Sequence, residues 1–208
     1  MSDNNSNNLN NINNNTYEDK ERNSNDKMVS LFFEAGLLSR FKRSGFDFLG
    51  TGDQNIASHL YRTALIAFVL SKRLDANLPF AVFIALFHDL PEARMGDINY
   101  FQKQYTAKNE LKAVEDLIRD FPEMEDLPYL IEEFNNGDSL EGKIARDSDC
   151  LELIITLKEE LDKGNPQAEI WIKDALNRLE LDLSKELAEI ALSQKSYDWW
   201  MDIMRIKR

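Results

Sequence analysis

The sequence predicts an all-α protein, one helical bundle behind an Asn-rich N-terminal tail. Apolar residues recur at helical spacing in segment after segment, and no stretch alternates as a half-buried strand would. Segment ends carry capping residues, prolines and glycines where helices start and stop. At 208 residues and 43% apolar composition the chain can bury one ordinary domain. Its 25 Lys+Arg against 37 Asp+Glu leave a net charge of -12, a surface that repels nucleic-acid polymers. A small phosphorylated ligand is compatible with that charge, because a few cations in one pocket outweigh the global field. Cys150 is the only cysteine, which rules out an intrachain disulfide and favours a reducing, cytoplasmic setting. No run approaches the roughly 18 apolar residues of a membrane span, and no basic-then-apolar start marks a signal peptide.

Taken in order, residues 1–27 form a compositional unit of their own. Nine of the first sixteen are Asn, and charged Glu18 to Arg22 follow. Such a stretch buries too little apolar area to offset its ordering entropy, so it is expected to be a disordered tail. The folded domain should run over 28–208, opening with a short, mostly buried helix from Met28 to Leu38. Residues 40–53 break that pattern with Arg40, Lys42, Arg43, Gly45 and several aromatics, either a ligand loop or a solvated connector. A helix follows from about Asn55 to Leu74, with His59, Arg62, Thr63 and Ile66 on one stripe. The next begins at Leu78-Pro79, is strongly apolar, and should end near Asp89 or Leu90, because Pro91 pushes the preceding residue out of helical geometry. Pro91 then opens a short helix that Gly96 ends. Further helices are expected over 105–120 and 126–134. A long buried one should run from an Asp138/Glu141 capping box to about Leu161, and another from Asn165-Pro166 to about Leu179. Ser184 should cap a final helix carrying Tyr197, Trp199, Trp200, Met201 and Ile203, an aromatic group suited to the core or to a dimer contact.

The chemistry concentrates where the apolar helix ends. An imidazole and a carboxylate, His88 and Asp89, close a buried segment, where unpaired polar groups are costly. A divalent metal would satisfy both, since neutral imidazole nitrogen and carboxylate oxygen are standard ligands. The only other histidine is His59, 29 residues upstream on a separate helix. Asp147 and Asp149 interrupt the long apolar helix. Glu92 and Asp97 flank the same turn as the His88-Asp89 doublet. A scaffold pinning remote helices around one ion is the resulting expectation.

Ser58-His59-Leu60-Tyr61-Arg62, His88-Asp89-Leu90-Pro91-Glu92-Ala93-Arg94-Met95-Gly96-Asp97 and Arg146-Asp147-Ser148-Asp149 together resemble the three motifs of the HD-domain metal-dependent phosphohydrolases. Within that superfamily the chain is most similar to the 5'-deoxynucleotidase group, over roughly residues 28–205. The resemblance implies an HD-domain bundle with His59, His88, Asp89 and Asp149 as ligands of one divalent ion (Mn, Co, Fe, Mg or Zn), and it selects Asp149 over Asp147. It implies that Glu92 orients or deprotonates the attacking water and that Asp97 assists the leaving 5'-oxygen or binds the sugar. Arg43-Ser44-Gly45-Phe46 resembles the group's substrate loop, making Arg43 the phosphate cation, with Arg40 its rival, and placing Phe46 where a Trp is usual. Ser58 replaces a commonly acidic residue. The implied reaction is hydrolysis of a deoxynucleoside 5'-monophosphate to deoxynucleoside and phosphate, by a homodimer. A phosphodiesterase or nucleotide-polyphosphate hydrolase with the same ligands is the nearest alternative, and a non-catalytic helical interaction protein keeping a metal staple the next.

Overall fold

The computed structural model describes residues 24–107 and 109–206. The predicted Asn-rich tail falls almost wholly on 1–23, outside the described residues. Among those described there is no strand, only an isolated antiparallel bridge between Lys42 and Asn55. The helices are α1 (residues 24–35), α2 (Gly45–Leu49), α3 (Ile56–Leu74), α4 (Leu78–Phe87), α5 (Glu92–Met95), α6 (Glu110–Asp120), α7 (Leu127–Asn136), α8 (Leu140–Asp162), α9 (Ala168–Leu176), α10 (Asp182–Ser193) and α11 (Asp198–Ile206). None of them is long and apolar enough to cross a membrane.

Helix α8 is the central strut. Its buried side chains point in every direction, and α3, α4, α7, α9 and α10 pack around it. One apolar cluster joins α3, α4, α8 and α10 through Ala67, Leu70, Ile84, Ile144, Ile154 and Ala188. Full burial of each Ile or Leu there is worth about 1.5–3 kcal/mol. A second cluster joins α3, α6 and α7 to the segment after α4, through Ile56, Leu60, Leu90, Val114, Leu117 and Leu127. A third holds α2 and α9 against the far half of α8 through Phe46, Leu49, Leu157, Ala168 and Ile172. The α3–α4–α8 packing brings the three chemically loaded segments together.

Helix starts follow from side-chain caps. Asn55 accepts from Ser58 N at 2.8 Å, Asn77 from Phe80 N at 3.4 Å and Asn109 from Lys112 N at 3.1 Å, each satisfying an orphan donor of the first turn. Asn109 also explains why the helix expected from Tyr105 begins only at Glu110. The residues before it include a 3-10 turn, Gln102–Gln104. Helix α8 is capped by Ser139, whose Oγ accepts from Gly142 N at 3.0 Å, and not by Asp138. The Glu141 carboxylate instead accepts from Asn77 N at 2.7 Å, tying the starts of α4 and α8 together.

Two expectations about the ends of the domain are corrected. Helix α1 starts by residue 24 and is largely exposed, with Phe32 68% and Phe33 77% accessible, because no described element covers that face. The final helix is two helices. Helix α10 starts at Asp182 rather than at Ser184, whose side chain is buried within it. The chain turns extended at Gln194, and Asp162 at the end of α8 anchors the turn by accepting from Ser196 N at 2.8 Å and Lys195 Nζ at 3.2 Å. Trp199 and Trp200 on α11 are exposed, so they are not core.

Candidate metal and phosphate site

The backbone around Pro91 sets out the acidic and imidazole groups. Helix α4 ends at Phe87, with His88 N still bonded to Ile84 O at 3.1 Å. A tight turn follows, Glu92 N bonds to Asp89 O at 3.0 Å, and α5 makes one turn before Gly96 N bonds to Glu92 O at 2.8 Å. Gly96 sits at φ 73°, in the half of conformational space where a side chain would be strained, and this reverses the chain toward Asp97. His88 and Glu92 are buried as a result, and Asp89 is partly so.

Candidate ligand atoms of His59, His88 and Asp89 all lie within 4.8 Å of one another. Asp149 completes the group from α8, with Oδ1 3.2 Å from His59 Nε2. Asp89 Oδ2 is 3.3 Å from His88 Nε2 and 3.8 Å from His59 Nε2. Hydrogen bonds at the opposite ring nitrogens fix both tautomers. His88 Nδ1 faces Ala85 O at 3.0 Å and His59 Nδ1 faces Glu152 Oε2 at 2.6 Å, so each donates N–H there and turns the Nε2 lone pair inward. His59 Nε2 is buried and has no hydrogen-bond partner among the described residues. A buried nitrogen lone pair with no donor, facing two carboxylates, is what a divalent cation would satisfy. Two neutral imidazoles and two carboxylates suit a first-row ion and leave coordination positions open.

The electrostatics agree with that polarity. Burial opposes ionisation of both Asp89 and Asp149, yet both carboxyls are held well below the usual range: Asp89 by His88, His59 and Arg43, Asp149 by His59, Arg43 and His88. His88 is also opposed by burial, but Asp89 and Asp149 push it up to about 9. The acid pair therefore draws a cation to this point, and a proton on His88 competes with a metal for Nε2.

Glu152, one helical turn beyond Asp149 on α8, is the group that the sequence reading missed. It is fully buried. Besides His59 Nδ1 it accepts from Gln54 Nε2 at 2.6 Å and Arg62 Nε at 2.8 Å. Against the penalty of burial, His59, Arg62 and Arg43 bring its carboxyl down to about 2. Arg43 Nη1 also approaches His59 Nδ1 closely. A guanidinium has no acceptor to offer an N–H, so both groups are directed at Glu152, which lies 3.5 Å from Arg43 Nη1. Phe134 stacks on His88 with centroids 4.3 Å apart, closing the other side of that ring. Replacement Glu152→Gln should preserve shape but weaken the grip on the His59 tautomer. We expect metal affinity, measured by competition with a chelating dye, to fall about 10–100-fold, the usual cost of losing an outer-sphere partner.

The other predicted residues divide clearly. Asp147, two residues before Asp149, points the opposite way and accepts from Glu180 N and Leu181 N at 2.9 Å each, capping the approach to α10. Arg43 is partly buried, 3.9 Å from Asp149 and 3.5 Å from Glu152, with Asp89 and Asp97 also near enough to act on its charge, whereas Arg40 is exposed. Asp97 Oδ2 accepts from Ser44 N at 2.7 Å and Ser44 Oγ at 3.2 Å, pinning the Arg43 loop to the turn after α5. Phe46 is 6% exposed and packs mainly into the α2–α9 cluster. Arg43, Phe46 and Asp97 all line a cleft of about 410 Å³ beside the acid–imidazole group.

A family model described as the HD domain matches residues 35–191. The 5'-deoxynucleotidase HDDC2 of Bos taurus is 29% identical over 136 residues, 62% of this chain and 66% of that protein. The Homo sapiens counterpart is 29% identical over 130 residues, 60% of this chain and 63% of its own length. The matched region therefore spans slightly less than two thirds of these relatives. Among solved structures, a conserved hypothetical protein from Pyrococcus furiosus superposes with a TM-score of 0.65 at 32% identity, covering 78% of this chain and 96% of that one. The PH0347 protein from Pyrococcus horikoshii OT3 superposes with a TM-score of 0.67 at 26% identity, covering 79% and 96%.

Proposed function

The chain belongs to the HD-domain family, and from that premise we propose that it is a metal-dependent phosphomonoesterase acting on deoxynucleoside 5'-monophosphates. The observation that carries the proposal is the buried Nε2 of His59, without a hydrogen-bond partner among the described residues, facing Asp149 and Asp89 beside the Arg43 guanidinium. The ligand set is His59, His88, Asp89 and Asp149. When bound, the ion would lower the pKa of an attacking water and offset charge on the phosphoryl oxygens. The similarity to 5'-deoxynucleotidases supports the choice of substrate.

The chain's own groups divide the work. Arg43 offers a fork of donors to two phosphate oxygens. Glu92, three residues beyond Asp89 in the turn that Pro91 opens, takes the proton from the attacking water as its oxygen bonds to phosphorus. The P–O5' bond breaks, and the 5'-oxygen leaves as the deoxynucleoside with a proton from solvent water, to which Glu92 returns the one it took. Asp97 Oδ2 is already occupied by Ser44, so Oδ1 is the oxygen that can accept a sugar hydroxyl.

The deciding experiment strips the purified protein of metal, reloads it separately with Mn, Co, Zn and Mg, and measures phosphate release. Substrates should include deoxynucleoside and ribonucleoside 5'-monophosphates, cyclic nucleotides and nucleoside triphosphates. We expect metal-restored release of phosphate from the 5'-deoxymonophosphates. Turnover confined to cyclic nucleotides or triphosphates would replace this reading with the diesterase or polyphosphatase one.

A further inference from the structure

The cleft beside the site is walled by aromatic rings that the proposed reaction has not used. Its inner end is formed by Arg43 and Asp97, and its outer part by Phe48, Tyr100, Phe101 and Trp171. Three of these rings are exposed, Phe48 54%, Phe101 56% and Tyr100 83%, although each belongs to a type that is normally covered. With the partly buried Trp171, the four rings come from three separate segments: α2, the stretch after Asp97, and α9. Phe48 and Phe101 lie with centroids 5.7 Å apart and planes tilted by 52°. Trp171 faces Gly45, where an added Cβ would come within 3.3 Å of the indole, so the substrate loop and the Trp171 wall are already in close contact. Beyond Arg43 and Asp97 the polar lining is Asn99 and the exposed Lys103. The Asn99 amide is engaged at both ends, accepting from Gln102 N at 2.9 Å and donating to Ser44 O at 3.5 Å.

Resting on the phosphomonoesterase reading, we propose that this cleft is the nucleobase subsite, with Phe48, Phe101 and Trp171 as its stacking surfaces. Phosphate on Arg43 and a sugar hydroxyl on Asp97 orient the rest of a 5'-nucleotide outward along the same cleft. A planar heterocycle gains from ring faces without requiring hydrogen-bond donors. Phe46, buried beneath, forms floor rather than stacking surface. Base recognition therefore belongs to three segments that the HD motifs do not include.

The test compares deoxyadenosine 5'-monophosphate with deoxyribose 5-phosphate, which keeps sugar and phosphate but lacks a base. Phe48→Ala and Phe101→Ala remove exposed rings and leave the core untouched; Trp171→Phe and Trp171→Ala grade the third wall. In metal-loaded protein, KM for the nucleotide should rise at least about fivefold in the alanine variants, as expected when one stacking partner is lost. The abasic substrate should keep its wild-type KM and kcat, and Trp171→Phe should recover most of the nucleotide KM. As an equilibrium readout independent of turnover, deoxyadenosine should quench tryptophan fluorescence in the wild type, and Phe101→Ala should weaken that titration. Equal changes for both substrates, or none for either, would overturn the base subsite while leaving the phosphatase reading intact. If the wild type released no phosphate from either substrate, the reaction assignment would fail and the fluorescence titration would decide the cleft alone.

Discussion

Glu92→Gln is expected to lower kcat on deoxynucleoside 5'-monophosphates by about 10²–10⁴-fold, the range general acid–base groups supply. Glu92 is 5% exposed and sits in the single turn of α5, with its backbone fixed at both ends by bonds to Asp89 O and from Gly96 N. The glutamine keeps the length and the hydrogen-bonding outline, so this frame should persist. It cannot accept a proton from water. Because Glu92 is not one of the four proposed ligands, metal content measured by elemental analysis should stay stoichiometric. KM should change little, since the proposed reaction assigns the ground-state contacts to Arg43 and Asp97. The check is steady-state kinetics, metal content and a thermal melt on one preparation. Wild-type turnover in a folded, metal-loaded Glu92→Gln protein would remove Glu92 from the reaction.

Where the sequence was readable, it was because local rules and tertiary packing agreed. The periodic pattern of α3 puts His59 on the same buried face as Leu60, Thr63, Ala67 and Leu70, and Asn55 caps it as its composition suggests. Pro91 and Gly96 fix the turn around His88, Asp89 and Glu92 through backbone restrictions that need no partner elsewhere. The misreadings arose where the outcome depends on what a segment meets. The Met28–Leu38 stretch is apolar, yet nothing described covers Phe32 and Phe33. Ser139 and Asp138 are both good cap residues, and the choice fell to Ser139 while Glu141 was drawn to Asn77. Glu152 does carry a signal in the sequence: it follows Asp147 and Asp149 in a buried helix, one turn from Asp149 and hence on the same face. Its partners Gln54 and Arg62 are some 90 or more positions away in the chain, and only the folded arrangement shows them.

The two aspartates of Arg146-Asp147-Ser148-Asp149 offer the sharpest separation of structure from chemistry, since the same substitution should have opposite consequences two residues apart. Asp149→Asn replaces an anionic oxygen 3.2 Å from His59 Nε2 with a neutral amide. The proposed four-residue ligand set loses a charge, and metal affinity should fall by more than the roughly 10–100-fold typical of an outer-sphere loss. Activity should fall with it, and the rise in Tm that metal gives the wild type should vanish, because that rise is linkage to binding. Asp147→Asn should leave metal affinity and kcat near wild type. Asp147 is fully buried and accepts from two backbone N–H groups, Glu180 and Leu181, at 2.9 Å each. An asparagine supplies one acceptor oxygen, so one N–H is left facing an amide nitrogen. The expected cost is about 1–3 kcal/mol of stability, read as a fall in denaturant midpoint with unchanged slope. Metal loss in Asp147→Asn together with a normal Asp149→Asn protein would reverse the assignment. No misfolding artefact produces that pattern, because the two variants report through different observables.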